Sequence, residues 1–119
     1  MQRISKVLVV DGDVDVRSVV EDLLTDHGFE VRHAGSPEQA VLEMQREVFD
    51  ILLCHLEMLE AGGGRLSQEL QAREPKPRVV AMSASGYQAV SDEVDANLAK
   101  PFTRLELLAT LRPVSGDAR

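Results

Sequence analysis

Val7-Leu8-Val9-Val10-Asp11-Gly12-Asp13 reads as a covered strand that stops abruptly. Four successive apolar residues, three of them β-branched, suit a strand buried on both faces, as strands of parallel sheets are. Asp11-Gly12-Asp13 breaks the run. Asp13 is placed to cap a helix in which Val16, Val19, Val20, Leu23 and Leu24 recur at helical spacing. Gly28 stands where a left-handed C-cap would close that helix. Strand, turn and amphipathic helix in this order form the first half of a βαβ unit.

The same alternation continues outward. Phe29-Glu30-Val31-Arg32-His33 alternates apolar and polar, as a strand nearer a sheet edge does. Ser36-Pro37-Glu38-Gln39 is a helix start: Ser36 caps, Pro37 suits the first helical position and Gln39 completes a capping box. Ala40, Val41 and Met44 supply its apolar face. Phe49 to Cys54 is a third buried strand that runs through His55 into a loop containing Glu57 and Met58. Gly62-Gly63-Gly64 precedes a helix carrying Leu66 and Leu70, which Pro75-Lys76-Pro77 ends. Val79 to Met82 is a fourth strand, a fourth helix is expected around Tyr87 to Glu93, and Asn97-Leu98-Ala99 is a short fifth strand. Thr103-Arg104-Leu105-Glu106 is another capping box, opening a helix whose Leu105, Leu108 and Leu111 are expected to face inward, with Pro113 closing it. Residues 114–119 read as a polar tail or linker stub after a single domain core of about 5–113.

Five strands alternating with five helices predict an α/β fold with a parallel sheet and right-handed crossovers. For 119 residues the expected form is a flavodoxin-like (βα)5 three-layer sandwich with strand order 2-1-3-4-5. Ligands of such sheets sit beyond the carboxyl ends of the strands. The residues leaving those ends are Asp11, His55, Ser83 and Lys100, which are expected to meet at one crevice.

Composition narrows the function classes. A net charge of −7 disfavours direct nucleic-acid binding, because an acidic surface repels phosphates. No apolar run approaches the roughly twenty residues of a membrane span. The first residues carry no long apolar core of a secretory signal, and the single Cys54 lies within an apolar strand, where a buried thiol is expected. A cytoplasmic protein is the expectation from these points.

Asp11, Arg17, the Asp50-to-His55 strand, Met58, Gly63, Ser83-Ala84 and Lys100-Pro101-Phe102 together make the chain resemble the receiver domains of two-component response regulators. The resemblance spans about residues 5–113. It implies a pocket in which two adjacent acids after the first strand help to hold magnesium. An aspartate ending the third strand accepts a phosphoryl group from a histidine kinase. A Ser or Thr after the fourth strand and a lysine after the fifth contact that group, and an aromatic in the fifth strand turns inward on activation.

The match is partial. Asp11 fills the first acidic position and Gly12 the second. His55 stands at the acceptor position, Leu59 where a proline is usual, Gly62 where an aspartate is common, and Asn97 at the aromatic switch position. Ser83 and Lys100 match. One carboxylate and one ammonium sum to zero, and protonation of His55 would make the pocket positive. Neither state favours a dication, so magnesium binding is expected to be weak or absent. Asp13 turning inward would add an acid, but capping its helix is the simpler role. For His55 two readings stand: a hydrogen bond to Asp11 or nearby backbone that fills the pocket, or a partly exposed ring without a defined partner. Metal sharing with Cys54 is disfavoured, since adjacent strand residues point to opposite faces. Lys100 is expected to pair with Asp11, and Ser83 either completes the pocket or caps the next segment.

The expected function is a non-enzymatic, receiver-like signalling module that works by protein–protein contact without phosphorylation. Its partner is expected to be a protein, an output domain or a histidine kinase, or a second copy in a homodimer. By resemblance the contact face is the fourth helix, fifth strand and fifth helix, with Tyr87, Val90, Arg104 and Leu108 on it. One alternative is a working phosphorelay receiver with an altered pocket. Another is a small flavodoxin-like enzyme or cofactor binder. Against the latter, the acidic loop after the first strand lacks a glycine-rich phosphate cradle, and aromatics make up only 3% of the chain.

Overall fold

The computed structural model describes residues 5–60, 64–84 and 93–111. Its elements are β1 (Lys6–Val10), α1 (Val14–Asp26), β2 (Glu30–Ala34), α2 (Pro37–Arg46), β3 (Ile51–His55), α3 (Leu56–Glu60), α4 (Arg65–Ala72), β4 (Arg78–Ala84), β5 (Ala96–Lys100) and α5 (Arg104–Leu111). The strands form one parallel sheet in the order β2-β1-β3-β4-β5. This is the expected three-layer α/β sandwich. The more polar second strand lies at the edge.

The alternation of side chains along each strand divides the core in two. Leu8, Val10, Leu52, Cys54, Val79 and Ala81 face α2, α3 and α4. Val7, Val9, Ile51, Leu53, Val80 and Met82 face α1 and α5. All twelve are buried, which explains why these strands read as unbroken apolar runs.

The helix starts follow local chemistry. Asp13 accepts the Asp15 N–H at the head of α1, and Gly28 closes the helix at φ +88°. Ser36 Oγ accepts the Gln39 N–H, while Gln39 Oε1 accepts from the Gly35 N–H, one residue earlier than the usual capping box. At α5 the box is fully reciprocal between Thr103 and Glu106.

Three expectations change. The segment after His55 is not a loop: Leu56–Glu60 coils directly off β3, with Leu56 and Leu59, one helical turn apart, both buried. The third strand starts at Ile51 rather than Phe49, although Phe49 is buried beside it. In α5, Leu105 does not face inward; it is 78% exposed, whereas Leu107 and Leu111 are buried. Residues 107 and 111 are four apart and share the sheet-facing side, and 105 lies on the far side of the helix. The helix expected around Tyr87 to Glu93, with Tyr87 and Val90, falls largely outside the described residues, as do Gly62, Gly63, Pro113 and the tail.

Candidate functional site

The carboxyl ends of β1, β3 and β5 bring three ionisable side chains together. Asp11 follows β1, and its N–H donates to the Ala34 carbonyl at 3.1 Å, extending the ladder to β2 by one residue. Arg17, one turn into α1, donates from Nη1 to the Asp11 carbonyl at 2.6 Å and pins that backbone from the helix side. The Asp11 side chain therefore projects from a backbone held on two sides, and it is only 5% exposed.

Both oxygens of that carboxylate are engaged. Oδ1 accepts the Asp13 N–H at 2.9 Å. Oδ2 accepts from Lys100 Nζ at 2.7 Å, across the ends of β1 and β5. The side chain of Asp13 caps α1 by accepting the Asp15 N–H. Lys100 precedes Pro101 through a cis peptide bond.

His55 closes the third side. Its Nδ1 lies 3.3 Å from Lys100 Nζ and 3.9 Å from Asp11 Oδ2. At 3.9 Å the ring is not hydrogen-bonded to Asp11, contrary to the first of the two expected readings; Lys100 Nζ contacts both groups. An ammonium donates only, so a hydrogen bond across this contact forms where Nδ1 carries no proton. Nε2 faces the exposed Glu57, 3.6 Å from Oε1. The resulting chain of contacts runs from buried Asp11 through Lys100 and the His55 ring to an acid at the surface.

Gly12 has a packing partner that the sequence did not reveal. A Cβ placed there would lie 3.1 Å from Met58 Cε. The methionine methyl thus fills the volume into which a residue-12 side chain would grow. Ser83, in β4, is buried and shares a cleft of about 290 Å³ with His55, Leu56, Glu57, Glu60 and Ala84. Asn97 lies half-buried in β5, Arg104 is exposed at the start of α5, and Leu108 is half-buried there. Cys54, one residue before His55, points into the opposite face of the sheet, and burial pushes its thiol pKa up. Glu57 beside His55 was not anticipated from the sequence, and Met58, part of the resemblance, was not expected to pack on Gly12. The available signal was the spacing of Leu56 and Leu59, which marks a helical turn directly after β3.

The family model for the response regulator receiver domain matches residues 7–112, nearly the whole chain. The chain belongs to the response regulator receiver domain family. The transcriptional regulatory protein ZraR of Escherichia coli K12 is 34% identical over 112 residues, covering 88% of this chain and 25% of that protein. ZraR of Salmonella typhimurium is 32% identical over 90 residues, covering 76% of this chain and 20% of that one. The receiver domain therefore spans about a quarter of the length of these relatives. Among solved structures, the chemotaxis response regulator CheY4 of Vibrio cholerae superposes with a TM-score of 0.79 at 24% identity, over 92% of this chain and 97% of that one. A CheY-like receiver domain from Methanospirillum hungatei gives 0.77 at 22% identity, over 90% of each chain. These likenesses establish the fold and place the chain in two-component signalling. Among the described residues no helix is long and apolar enough to cross a membrane.

Proposed function

We propose that this receiver domain signals by protein–protein contact and does not carry a phosphoryl group. The observation that supports this reading is the occupant of the acceptor position. His55 ends β3 there, with its Nδ1 3.3 Å from Lys100 Nζ. The ring nitrogen nearest the pocket is thus already in contact with the lysine. The lysine that would meet an incoming phosphoryl group is held by Asp11 at 2.7 Å. The set of one carboxylate with both oxygens engaged, one imidazole and one ammonium does not fit magnesium, which favours oxygen ligands and would neutralise the transferring group.

Asn97 in β5 stands where the family's aromatic rotamer switch is usual and cannot act as a buried aromatic. The domain is then a fixed surface rather than a two-state one. On the described part of the expected face, Arg104 and Leu105 are exposed, and Leu105 is a large apolar side chain with 78% of its surface in solvent. We place the contact with a protein partner, an output domain or a second copy there. Net charge −7 argues against direct nucleic-acid contact, and the domain is expected to work in the cytoplasm.

Incubation with acetyl phosphate and magnesium, followed by intact-mass measurement, tests the reading. The expected product is unmodified protein, while the same treatment of a receiver that retains its aspartate yields the phosphorylated mass. A phosphoryl adduct on this chain would instead support a working receiver with an altered pocket.

A further inference from the structure

We propose that His55 is a proton-operated latch on this pocket: the neutral ring rests on the Lys100 ammonium, and the protonated ring leaves it for the cleft beside α3, toward Glu57 and Glu60.

The two ring nitrogens face opposite charges. Nδ1 lies 3.3 Å from Lys100 Nζ, at the end of β5, and Nε2 lies 3.6 Å from Glu57 Oε1, in α3. The contact with the ammonium is favourable while Nδ1 carries no proton, because an ammonium offers donors and no acceptor. Imidazole is the side chain whose charge ordinarily changes between about pH 5 and pH 8. A proton taken up by the ring sets two positive charges against each other across that contact, and one of them has to move.

Lys100 is the less free of the two. Asp11 Oδ2 holds its Nζ at 2.7 Å, and that carboxylate is only 5% exposed and is fixed through Oδ1 by the Asp13 N–H. His55 is 22% exposed and borders the cleft of about 290 Å³ that it shares with Glu57, Glu60 and Ser83. The ring therefore has open space on one side, and it is the member that swings.

The charges around the ring favour the same direction. Asp11, after β1, is 3.9 Å away and already paired with Lys100. Glu57 and Glu60 of α3 are exposed on the cleft side. β4 contributes the uncharged Ser83, Arg17 of α1 is bound to the Asp11 carbonyl, and Cys54 packs on the opposite face of the sheet. The swing leaves the Asp11–Lys100 pair in place. It makes the corner between β3 and α3, rather than the α5 face, the pH-dependent part of the surface.

The inference names a regulator for the pocket already described and rests on its holding no phosphoryl group. A phosphoryl adduct in the mass measurement would overturn that reading, whereas a ring that stays on Lys100 at every pH would overturn only this one.

The experiment is an NMR titration of the wild type from about pH 8 to pH 5, following the His55 ring nitrogens and the nuclear Overhauser contacts of the ring. Contacts to the Lys100 side chain are expected to be lost, and contacts to Glu60 gained, at the midpoint at which the ring takes up its proton. Lys100→Met is expected to move that midpoint to higher pH, and the double variant Glu57→Gln with Glu60→Gln to lower pH. His27, beyond the far end of α1, is expected to titrate alike in all three proteins. A ring that keeps its Lys100 contacts once protonated, that takes up no proton in this range, or whose midpoint neither variant moves would overturn the proposal. Should Lys100→Met not fold, the double variant decides, since both acids are exposed. An unmoved midpoint there contradicts the latch.

Discussion

Replacing Lys100 with methionine removes the ammonium but keeps most of the apolar stem, which lines a groove with Val16, Val19 and Phe102. Asp11 stays 95% enclosed by its surroundings, since only 5% of its side chain is exposed. It retains one hydrogen bond, from the Asp13 N–H, and loses the 2.7 Å partner of Oδ2. At an effective dielectric constant of about 20, unit charges at that separation attract by roughly 6 kcal/mol before desolvation is counted. Dehydrating both ions offsets most of this, so the pair itself stabilises the fold only modestly. Removing one member differs, because the other remains buried and uncompensated, at about 3–5 kcal/mol for fully buried pairs. Lys100 is 21% exposed, so water reaches the vacated position, and the expected loss is about 2–3 kcal/mol. Urea unfolding followed by far-UV circular dichroism measures it, since the chain has no tryptophan for fluorescence. A cycle with Asp11→Asn is expected to give a coupling of about 1–3 kcal/mol that changes little with salt. A single-variant loss under about 0.5 kcal/mol, or a coupling near zero, is the behaviour of a surface pair and would refute the claim that this contact locks the pocket.

Three other outcomes follow from the packing and the charges. Leu107→Ala is expected to cost about 2–5 kcal/mol, because Leu107 is fully buried. Leu105→Ala is expected to stay within about 0.5 kcal/mol, and the reverse ranking in urea melts would mean that α5 is rotated. Burial raises the Cys54 thiol pKa above its unfolded value, so the folded state holds that proton while the unfolded chain releases it. Stability is then undiminished below about pH 8.5 and falls as pH rises beyond it; Cys54→Ala is expected to flatten part of that alkaline slope, and an unchanged slope would rule out this origin. The Lys6 hydrogen bond, with Arg32 adding to it, holds the Glu47 carboxyl below its usual pKa. That contribution is present above the unfolded carboxylate pKa and is lost as pH falls through the folded one. Acid titrations of Glu47→Gln are therefore expected to show a shallower decline than the wild type, and a steeper one would reverse the assignment.

What could be read in the sequence was what local chemistry decides. Asp13, Ser36 and Thr103 marked helix starts because each cap bonds within three residues along the chain. The sheet order was legible because β1, β3 and β4 read as unbroken apolar runs and β2 does not. Leu105 was misplaced because α5 is eight residues long with four leucines, so its apolar spacing fits more than one face. The turn of α3 was missed because it leaves β3 with no capping residue to mark it. Asp11, His55 and Lys100 could be assigned to one crevice from the topology alone. Their order within it could not, because the approach of Lys100 Nζ to 2.7 Å of Oδ2 while His55 Nδ1 stays at 3.9 Å is set by packing between residues 45 and 89 apart in sequence. The closure of Met58 over Gly12 is likewise a packing fact with no local signature.

Central to the proposed function is that His55 and Lys100 hold this receiver domain in one state that neither magnesium nor phosphoryl chemistry changes. Beryllofluoride with magnesium, which mimics the phosphorylated state of receivers, tests it most directly in a residue-resolved NMR titration. The account predicts spectra unchanged at Asp11, His55, Ser83 and Lys100 throughout. Shifts concentrated at those four residues would contradict it and identify a working switch built on an altered pocket.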